Sequence, residues 1–236
     1  MPFNFDALAH PVDSCHHSPM RWTLLLLLAV TALEAQTWPL DSTTPISVLH
    51  AKANVTTHSG RKALQLIQSG ETFSNSSAGL AAISGSDFED GTIEIDLAGL
   101  PRQGAAQAAR GFIGVAFRLQ DATHYEAFYI RPTNGRADDQ LRRNHSTQYI
   151  GEPEFPWERL RQESPGVYES YTDLVPGEWT KLKIVVSGVK AQLFVNNMDQ
   201  PCLIVNDLKH GKSRGKIALW IGPDTEGYFA NLAVRK

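Results

Sequence analysis

Two acidic side chains stand two residues apart in a segment with the alternating pattern of a β-strand. The segment, residues 92–97, reads Thr-Ile-Glu-Ile-Asp-Leu, so Glu94 and Asp96 share one face while the apolar residues share the other. Such neighbours lie about 7 Å apart, from a rise of ~3.3 Å per residue. Paired carboxylates serve glycoside hydrolysis, one as acid and one as nucleophile or base. A solvated outer face of a half-buried strand explains the same pattern.

A second group of charged side chains falls on a predicted hairpin. Residues 111–131 alternate on both sides of a short turn, which brings Arg118, Glu126 and Arg131 onto adjacent strands. Tyr129 shares a face with Arg131. Guanidinium groups favour the charged form of a neighbouring carboxylate, and their planar forks hold sugar hydroxyls or uronate carboxylates. The group predicts a ligand site, and a structural cluster of ion pairs fits it equally well.

The segment from residue 132 to residue 176 has little alternation and is rich in arginine and aromatic residues. Long segments of this kind are usually functional or disordered, and the aromatic residues of this one argue against disorder. Arg142 and His145 are polar groups that suit sugar hydroxyls, and Tyr149 and Trp157 offer rings on which a sugar stacks. His145 also fits a hydrogen-bonded structural histidine. We expect an ordered insertion that lies over one sheet.

No motif for a cofactor stands out. Asp138 and Asp139 are the candidates for a calcium site, but the repeated Asp, Asn and Gly spacing of calcium-binding loops is absent. Neither a metal site nor another cofactor is therefore predicted. The chain also lacks a phosphate-binding glycine loop, Gly-x-Ser-x-Gly and His-Glu-x-x-His. These absences argue against nucleotide chemistry, a typical α/β-hydrolase and a zinc protease.

The elements that must position these side chains are predicted to be short strands. Apolar and polar residues alternate between turn signals, which is typical of a sandwich or barrel. The predicted strands are residues 61–68, 92–97, 111–119, 125–131, 179–187, 190–196, 216–221 and 228–234. One helical turn is predicted within residues 154–163. The sequence therefore predicts an all-β fold, a single antiparallel β-sandwich over residues 36–236 with the insertion 132–176.

Residues 1–35 are predicted to lie outside this domain. Arg21 precedes an apolar run, residues 24–33, and small residues follow it. This pattern indicates a signal peptide, since the run has half the length of a membrane span; a buried helix or an uncleaved anchor is the alternative. We expect residues 20–35 to be the signal peptide, with Met20 as the start. The product is then secreted or periplasmic and has no membrane partner after cleavage.

Charge and cysteine content narrow the classes of function. The formal net charge is −3, and 42% of the residues are hydrophobic, which excludes wholesale disorder. The near-neutral charge argues against a nucleic-acid partner, because such proteins carry a basic face. Cleavage leaves Cys202 as the remaining cysteine, so an internal disulfide is excluded. We expect that thiol to be a small buried group.

Six short segments keep the order and spacing of one family's strands. They are residues 88–97 (FEDGTIEIDL), 111–118 (GFIGVAFR), 125–131 (YEAFYIR), 177–183 (GEWTKLK), 191–196 (AQLFVN) and 228–234 (YFANLAV). The chain resembles secreted bacterial concanavalin A-like jelly-roll domains, of the laminin G and legume-lectin type. It is most similar to the group of 3-keto-disaccharide hydrolases and family 16 glycosidase-like proteins.

Some of the residues that are typical of these two groups are present in the chain, and others are absent. Family 16 glycosidases have Glu-x-Asp-x-Glu on one strand, whereas Ala98 stands here in place of the third carboxylate. This departure argues against their retaining mechanism. From the keto-sugar hydrolase group, the elements Phe-Arg and Tyr-Glu are kept at Arg118 and Glu126.

Three functions fit these observations. The first is a secreted domain that binds a glycan on its concave sheet, with arginines and Glu126 on hydroxyls and Tyr149 and Trp157 stacked on rings. The second is a glycoside hydrolase of the same fold, acting on a 3-keto-glycoside or a glucan, with Glu126 as acid/base and Glu94 and Asp96 as the fallback carboxylates. The third is a non-catalytic adhesion or scaffold module, in which the arginines pair with acids and leave no cleft.

Overall fold

The computed structural model describes residue 1, residues 35–68 and residues 78–236. Its elements belong to the unit Leu33–Lys236. All but the last residue of the predicted signal peptide, residues 20–35, lies outside the described part of the chain. The division into residues 1–35 and 36–236 therefore stays a prediction. No helix within the described ranges is long and apolar enough to cross a bilayer.

Strands dominate the described residues, with two short α-helices between them. In chain order the strands are β1 (Gln36–Trp38), β2 (Ile46–Leu49), β3 (Ala51–His58), β4 (Arg61–Gln68), β5 (Gly79–Ile83), β6 (Gly91–Pro101), β7 (Ile113–Leu119), β8 (Tyr125–Ile130), β9 (Thr147–Glu152), β10 (Glu169–Ser170), β11 (Thr180–Ser187), β12 (Lys190–Val195), β13 (Leu203–Val205), β14 (Lys216–Ile221) and β15 (Thr225–Arg235). The helices are α1 (Gln140–Asn144) and α2 (Trp157–Glu163), and a 3-10 turn occupies Pro132–Asn134.

The strands form two antiparallel sheets. The eight-stranded sheet has the order β13-β12-β11-β6-β15-β4-β3, and β1 pairs with β15. The seven-stranded sheet has the order β10-β9-β8-β7-β14-β5-β2. The predicted antiparallel β-sandwich is therefore confirmed.

The core lies between the inner faces of the two sheets. Ile93, Ile95 and Leu97 of β6 are fully buried, as are Val115 and Phe117 of β7. Each set occupies alternate positions of its strand, which point to one face. Burial of such side chains stabilises the fold by about 1.5–3 kcal/mol each. The alternation therefore fixes which side chains of each strand remain available for a ligand.

The segment 132–176 does not lie over the sheet as a separate insertion. It contributes β9, which pairs with β8 from Tyr125↔Glu152 to Ile130↔Thr147, and β10, which pairs with β9. Five of the six residues of β9 are buried, because both of its faces are covered, so the strand shows no alternation in the sequence. The remaining part of the segment holds α1 and α2.

Candidate functional site

A cleft of about 560 Å³ lies on the outer face of the seven-stranded sheet. Side chains of β8, β9 and β14 line it, together with residues that precede β7 and residues between β8 and β10. Binding sites for small molecules typically measure ~300–1,000 Å³. The predicted site residues that reach this cleft are Tyr129, Arg131, Arg142, His145 and Trp157.

The floor of the cleft is a pair of aromatic rings that meet above a glycine. Gly114 of β7 is in register with Tyr129 of β8 on one side and with Trp220 of β14 on the other. The two rings stack with centroids 4.5 Å apart and planes 20° apart. A Cβ on Gly114 would lie 2.1 Å from the backbone oxygen of Phe128 and 2.6 Å from the Cβ of Tyr129. The glycine is therefore what allows the two rings to close over the central strand.

Two tyrosine hydroxyls complete the floor. Trp220 Nε1 donates a hydrogen bond of 3.3 Å to the hydroxyl oxygen of Tyr125. Burial raises the pKa of Tyr129 to about 12 and raises that of Tyr125 as well. Both phenols are therefore neutral at physiological pH, when they serve as hydrogen-bond donors as well as acceptors.

Arg131 stands at the boundary between the floor and one wall. Its Nη2 donates to the Tyr129 hydroxyl at 2.9 Å and to Gln148 Oε1 at 3.0 Å. Its guanidinium carbon lies 5.0 Å from the ring centroid of Tyr129 and 5.9 Å from that of Trp157. Cation–π contacts of this kind hold the side chain in place.

Glu169 is the anion that balances this wall. Arg161 donates to both of its carboxylate oxygens, at 2.9 and 2.7 Å, while Arg131 lies 3.8 Å away. His145 Nε2 lies 3.2 Å from the same carboxylate. Burial lowers the pKa of His145, and the charge of Glu169 only partly opposes this effect. His145 is therefore mainly neutral at pH 7 and belongs to the wall.

Glu152 places a carboxyl group inside the cleft. It lies at the end of β9, opposite Tyr125 in the register. Burial raises its pKa to about 7, and the charges of Glu158 and Glu154 add to the shift. Near neutral pH this group therefore exists both as an acid and as a carboxylate, which is the range in which enzymes place a general acid.

Calcium ligands do not converge at the predicted pair of aspartates. Asp139 precedes α1, and its Oδ1 accepts a hydrogen bond of 2.6 Å from the backbone N–H of Arg142. Asp138 is exposed. Within residues 35–68 and 78–236, no group of three or more His, Cys, Asp or Glu side chains is placed to hold a metal ion. The pair does not fit a calcium site, since Asp139 serves to cap a helix.

Solved structures of carbohydrate-binding proteins share this architecture, although no protein-family model and no curated protein sequence match the chain. The carbohydrate-binding module CBM66 from Bacillus subtilis aligns with a TM-score of 0.57 at 14% identity, over 83% of this chain and 98% of the module. The exoplasmic domain of VIP36 with Ca²⁺ and mannose bound aligns with a TM-score of 0.52 at 9% identity, over 86% and 90%. Bacillus licheniformis β-glucanase aligns with a TM-score of 0.50 at 9% identity, over 86% and 98%.

The chain has a concanavalin A-like jelly-roll fold. The resemblance seen in the sequence is thus confirmed for the fold. Identities of this size carry no function from one jelly roll to another, because the fold supports binding modules and hydrolases alike.

Three predicted site residues lie in the interior of the jelly roll and do not reach the cleft. Arg118, Glu126 and Tyr149 have exposures of 1%, 0% and 0%. Arg118 Nη1 donates to Glu126 Oε2 at 3.2 Å, and the Tyr149 hydroxyl donates to Glu126 Oε1 at 2.7 Å. None of the three lines the cleft, and their predicted contact with a ligand, including the role of Glu126 as acid/base, stays a prediction. The alternative, a structural ion-pair cluster, describes Arg118 and Glu126 correctly.

The backbone at Arg118 explains why its side chain is buried. Strict alternation would place it on the cleft face of β7 with Gly114 and Ala116. Its φ of 52° is left-handed, and the pairing of β7 with β14 shifts register between Lys216 and Ala218. Such irregularities redirect a side chain, and here the guanidinium reaches Glu126 on the core face.

Glu94 and Asp96 lie on the other sheet and cannot act on a ligand in this cleft. They share the outer face of β6, opposite the buried isoleucines, as their spacing predicts. Glu94 pairs with Arg235. Asp96 binds Arg61 at 2.9 Å, Lys181 at 3.0 Å and Asn231 at 2.7 Å. The interpretation as an outer strand face fits these contacts, and the catalytic role predicted for the pair stays a prediction.

Several residues of the cleft were not predicted from the sequence. Trp220 lies far along the chain and reaches Tyr129 through the insertion of β14 beside β7. Glu152 and Arg161 belong to the segment that lacks alternation. Arg110 and Phe112 lie just before β7. The sequence signal that could have pointed to these residues is the high content of aromatic residues and arginines in the segments before β7 and after β8. Such a content does not show which individual side chains reach the cleft.

Proposed function

We propose that the chain is a secreted carbohydrate-binding domain whose glycan occupies the cleft on the seven-stranded sheet. The observation that carries the proposal is the aromatic lining of a cavity of about 560 Å³, in which the buried pair Tyr129 and Trp220 forms the floor beneath the rings of the rim. Sugars present apolar C–H faces to aromatic rings while their hydroxyls bind polar groups around them. The cleft combines both kinds of group.

The rim supplies the accessible contacts. Phe112 and Trp157 are half-buried, so each ring keeps a face toward the cleft. Arg142 and Glu152 stand beside them as hydrogen-bonding groups. This distribution suits a sugar ring on the aromatic side chains with its hydroxyl groups toward the charged ones. The shared fold of CBM66 and of the mannose-bound VIP36 domain supports the same proposal.

Glycan binding by the full chain tests the proposal. An array of neutral, uronic and keto-modified glycans identifies ligands, and calorimetry measures their affinity. Trp157→Ala is expected to weaken binding about tenfold or more, because ~1.4 kcal/mol of stacking energy corresponds to that factor.

Trp179→Ala is the matched control. This tryptophan is also half-buried, and its Nε1 donates to His58 O at 3.3 Å on the eight-stranded sheet. The glycan affinity of the Trp179→Ala variant is expected to equal that of the wild type. Silence across the whole array, or equal losses in the two variants, contradicts binding in this cleft.

A glycoside hydrolase is the second candidate, and Glu152 is the observation that favours it. Its pKa of about 7 and its position in the cleft suit a general acid. Glu152→Gln is expected to lower a detected rate of glycoside hydrolysis by ~10²–10⁴-fold, the usual contribution of acid–base catalysis. Substrates to test are 3-keto-glycosides and glucans. A rate within about twofold of the wild type contradicts the assignment.

No observation favours an adhesion module without a ligand cleft. That function required the arginines to pair with acids and to leave no open site. Arg118 does pair with Glu126, but a cleft is present on the neighbouring face of the sheet.

Export through the predicted signal peptide completes the proposal. Residues 20–35 are expected to be removed, so that the mature chain begins at Gln36. N-terminal sequencing of the protein recovered from the periplasm or the medium tests this step. An intact amino terminus, or retention in the cytoplasm, contradicts it.

A further inference from the structure

The cleft carries four arginines, two of which have no acidic partner among the described residues. Arg131 and Arg161 share Glu169, as described above. Arg110 and Arg142 also line the cleft, and neither forms a salt bridge with any residue that the structure describes. The second pair therefore contributes positive charge that the protein does not neutralise there.

Neutral oxygens hold both of these guanidinium groups in place. Arg110 Nη1 donates to the backbone oxygens of Gln107 at 2.7 Å and Ala109 at 2.9 Å. Arg142 Nε donates to Asn134 Oδ1 at 2.9 Å, and its Nη2 donates to Thr133 Oγ1 at 3.1 Å. Each group keeps further N–H donors without a partner among the described residues. A guanidinium that is fixed but not neutralised is prepared to bind an anion.

The positive charges lie close enough to act on one another. Burial lowers the pKa of Arg110, and the charges of Arg142 and Arg131 lower it further. Arginine remains protonated at neutral pH despite such shifts. Three neighbouring cations in a partly buried cleft repel one another, and an anionic ligand relieves that repulsion.

The acidic side chains in and beside the cleft form no salt bridge with Arg110 or Arg142 among the described residues. Asp139 is held by the backbone N–H of Arg142 as the cap of α1. Glu152, whose pKa is about 7, is partly protonated at neutral pH. Glu169 is engaged by Arg161 through two hydrogen bonds. Within the part of the chain that the structure describes, the guanidinium groups of Arg110 and Arg142 therefore remain without an acidic partner beside the aromatic floor.

We propose that the cleft selects glycans that carry an anionic group, which Arg110 and Arg142 bind while the sugar ring contacts the aromatic side chains. The inference rests on the proposed carbohydrate-binding function and specifies its ligand class. The shared chemistry is an oxyanion on a sugar, either the carboxylate of a uronic acid or a sulfate ester, because arginine forks bind both.

Two matched pairs of glycans test the inference with the full chain. The first pair is polygalacturonate and its carboxyl-reduced counterpart, and the second is a sulfated galactan and its desulfated form. The wild type is expected to bind at least one anionic member about tenfold or more tightly than its neutral counterpart. The two arms distinguish a uronate ligand from a sulfate ligand.

Arg110→Gln and Arg142→Gln are each expected to reduce that preference to about the neutral level. Arg136→Gln is the control, because Arg136 is exposed, forks with Asp173 at 2.8 and 2.8 Å and lies outside the cleft. It is expected to keep the wild-type preference. Arg110→Lys retains the charge without the fork and is expected to show an intermediate preference, and circular dichroism verifies that each variant is folded.

The outcomes separate the inference from the function on which it rests. Equal binding of neutral and anionic glycans, unchanged in Arg110→Gln, overturns the inference and leaves carbohydrate binding intact. Equal losses in Arg110→Gln and Arg136→Gln indicate general charge attraction and overturn it too. Failure to bind any of the four glycans, with binding of another, neutral glycan on the array, overturns the inference alone. Failure to bind the four glycans and every glycan of the array overturns both proposals.

Discussion

Gly114 controls the floor of the cleft by having no side chain. We expect Gly114→Ala to separate Tyr129 from Trp220, because its Cβ would meet backbone atoms of β8. Overpacking of this kind costs about 1–3 kcal/mol, and each kcal/mol lowers Tm by about 2–4 °C in a chain of this size. Thermal melts and calorimetry with a bound glycan measure both effects.

Gly166→Ala serves as the control for this substitution. Gly166 lies in a turn with φ of 73°, and a Cβ added there would have no other atom within 4 Å. The variant is expected to lose some stability through its left-handed conformation and to retain glycan affinity. Unchanged affinity in Gly114→Ala would show that the stacked pair is not the binding surface.

The titration of Glu152 is expected to lower the free energy of unfolding as the pH rises. Its pKa is raised to about 7 in the folded chain, so the folded state favours the proton more than the unfolded state does. This contribution is fully present below the unfolded pKa of ~4.3 and is lost as pH rises through about 7. Between pH 5 and pH 8, the wild-type Tm is therefore expected to fall by several degrees relative to Glu152→Gln.

Parallel melts of wild type and Glu152→Gln at each pH isolate the contribution of this one group, since the amide does not titrate. A constant difference in Tm between the two proteins across this range would show that the carboxyl group keeps an ordinary pKa.

At the scale of elements, Arg118 connects the two sheets. Besides Glu126, its guanidinium binds the backbone oxygens of Gly188 at 2.7 Å and Gly211 at 2.8 Å. Gly188 lies in the turn between β11 and β12 of the eight-stranded sheet. The side chain therefore joins the hairpin β7–β8 to a turn of the opposite sheet.

We expect Glu126→Gln to destabilise the fold by about 2–3 kcal/mol, because it removes the buried one of the two carboxylates that pair with Arg118. The half-exposed Asp90 remains 3.2 Å from the guanidinium. Glycan affinity of the folded variant is expected to stay at the wild-type level. Denaturant unfolding measures the first effect and calorimetry the second. Glu94→Gln, which breaks the partly exposed pair with Arg235, should cost less than about 1 kcal/mol. A Glu126→Gln variant that is as stable as the wild type but no longer binds glycans would show that Glu126 takes part in ligand binding.

Alternation predicted those strands that have one apolar and one polar face. β4 and β14 match their predicted bounds, and β6, β7, β8, β11, β12 and β15 differ from theirs by a few residues. β9 escaped prediction because Thr147 and Gln148 are polar residues that are nevertheless buried, so the strand shows no apolar face in the sequence. β5 escaped because Gly79–Ile83 is mainly small residues. Two-sided burial alone does not hide a strand, since β7 and β8 are buried along their whole length and were predicted.

The candidate site was predicted in part for a related reason. Tyr129, Arg131 and Trp157 reach the cleft because they are close to β8 or β9 in the chain. Trp220 joins them only through the order of strands in the sheet, which local sequence does not contain. Arg118 was placed wrongly because a single left-handed residue reverses the alternation.

At the scale of the whole molecule, both sheets depend on the last two strands. β14 lies between β7 and β5, and β15 lies between β6 and β4. Removal of residues 214–236 is therefore expected to abolish the cooperative unfolding transition, since it leaves a gap within each sheet. Near-ultraviolet circular dichroism and a thermal melt measure the loss.

Removal of residues 1–23, an equal number, is the control and is expected to preserve the transition, because β1 begins only at Gln36. A cooperative transition in the chain that lacks residues 214–236 would contradict the central role of these two strands.

The position of β14 and β15 also sets the order of events during biosynthesis. Neither sheet can close until residues 216–235 have emerged from the ribosome, however early the hairpin β7–β8 forms. Both sheets therefore remain incomplete until these two strands have been synthesised. For the export proposed above, a translocation channel that accepts only unfolded polypeptide has that interval in which to engage the chain.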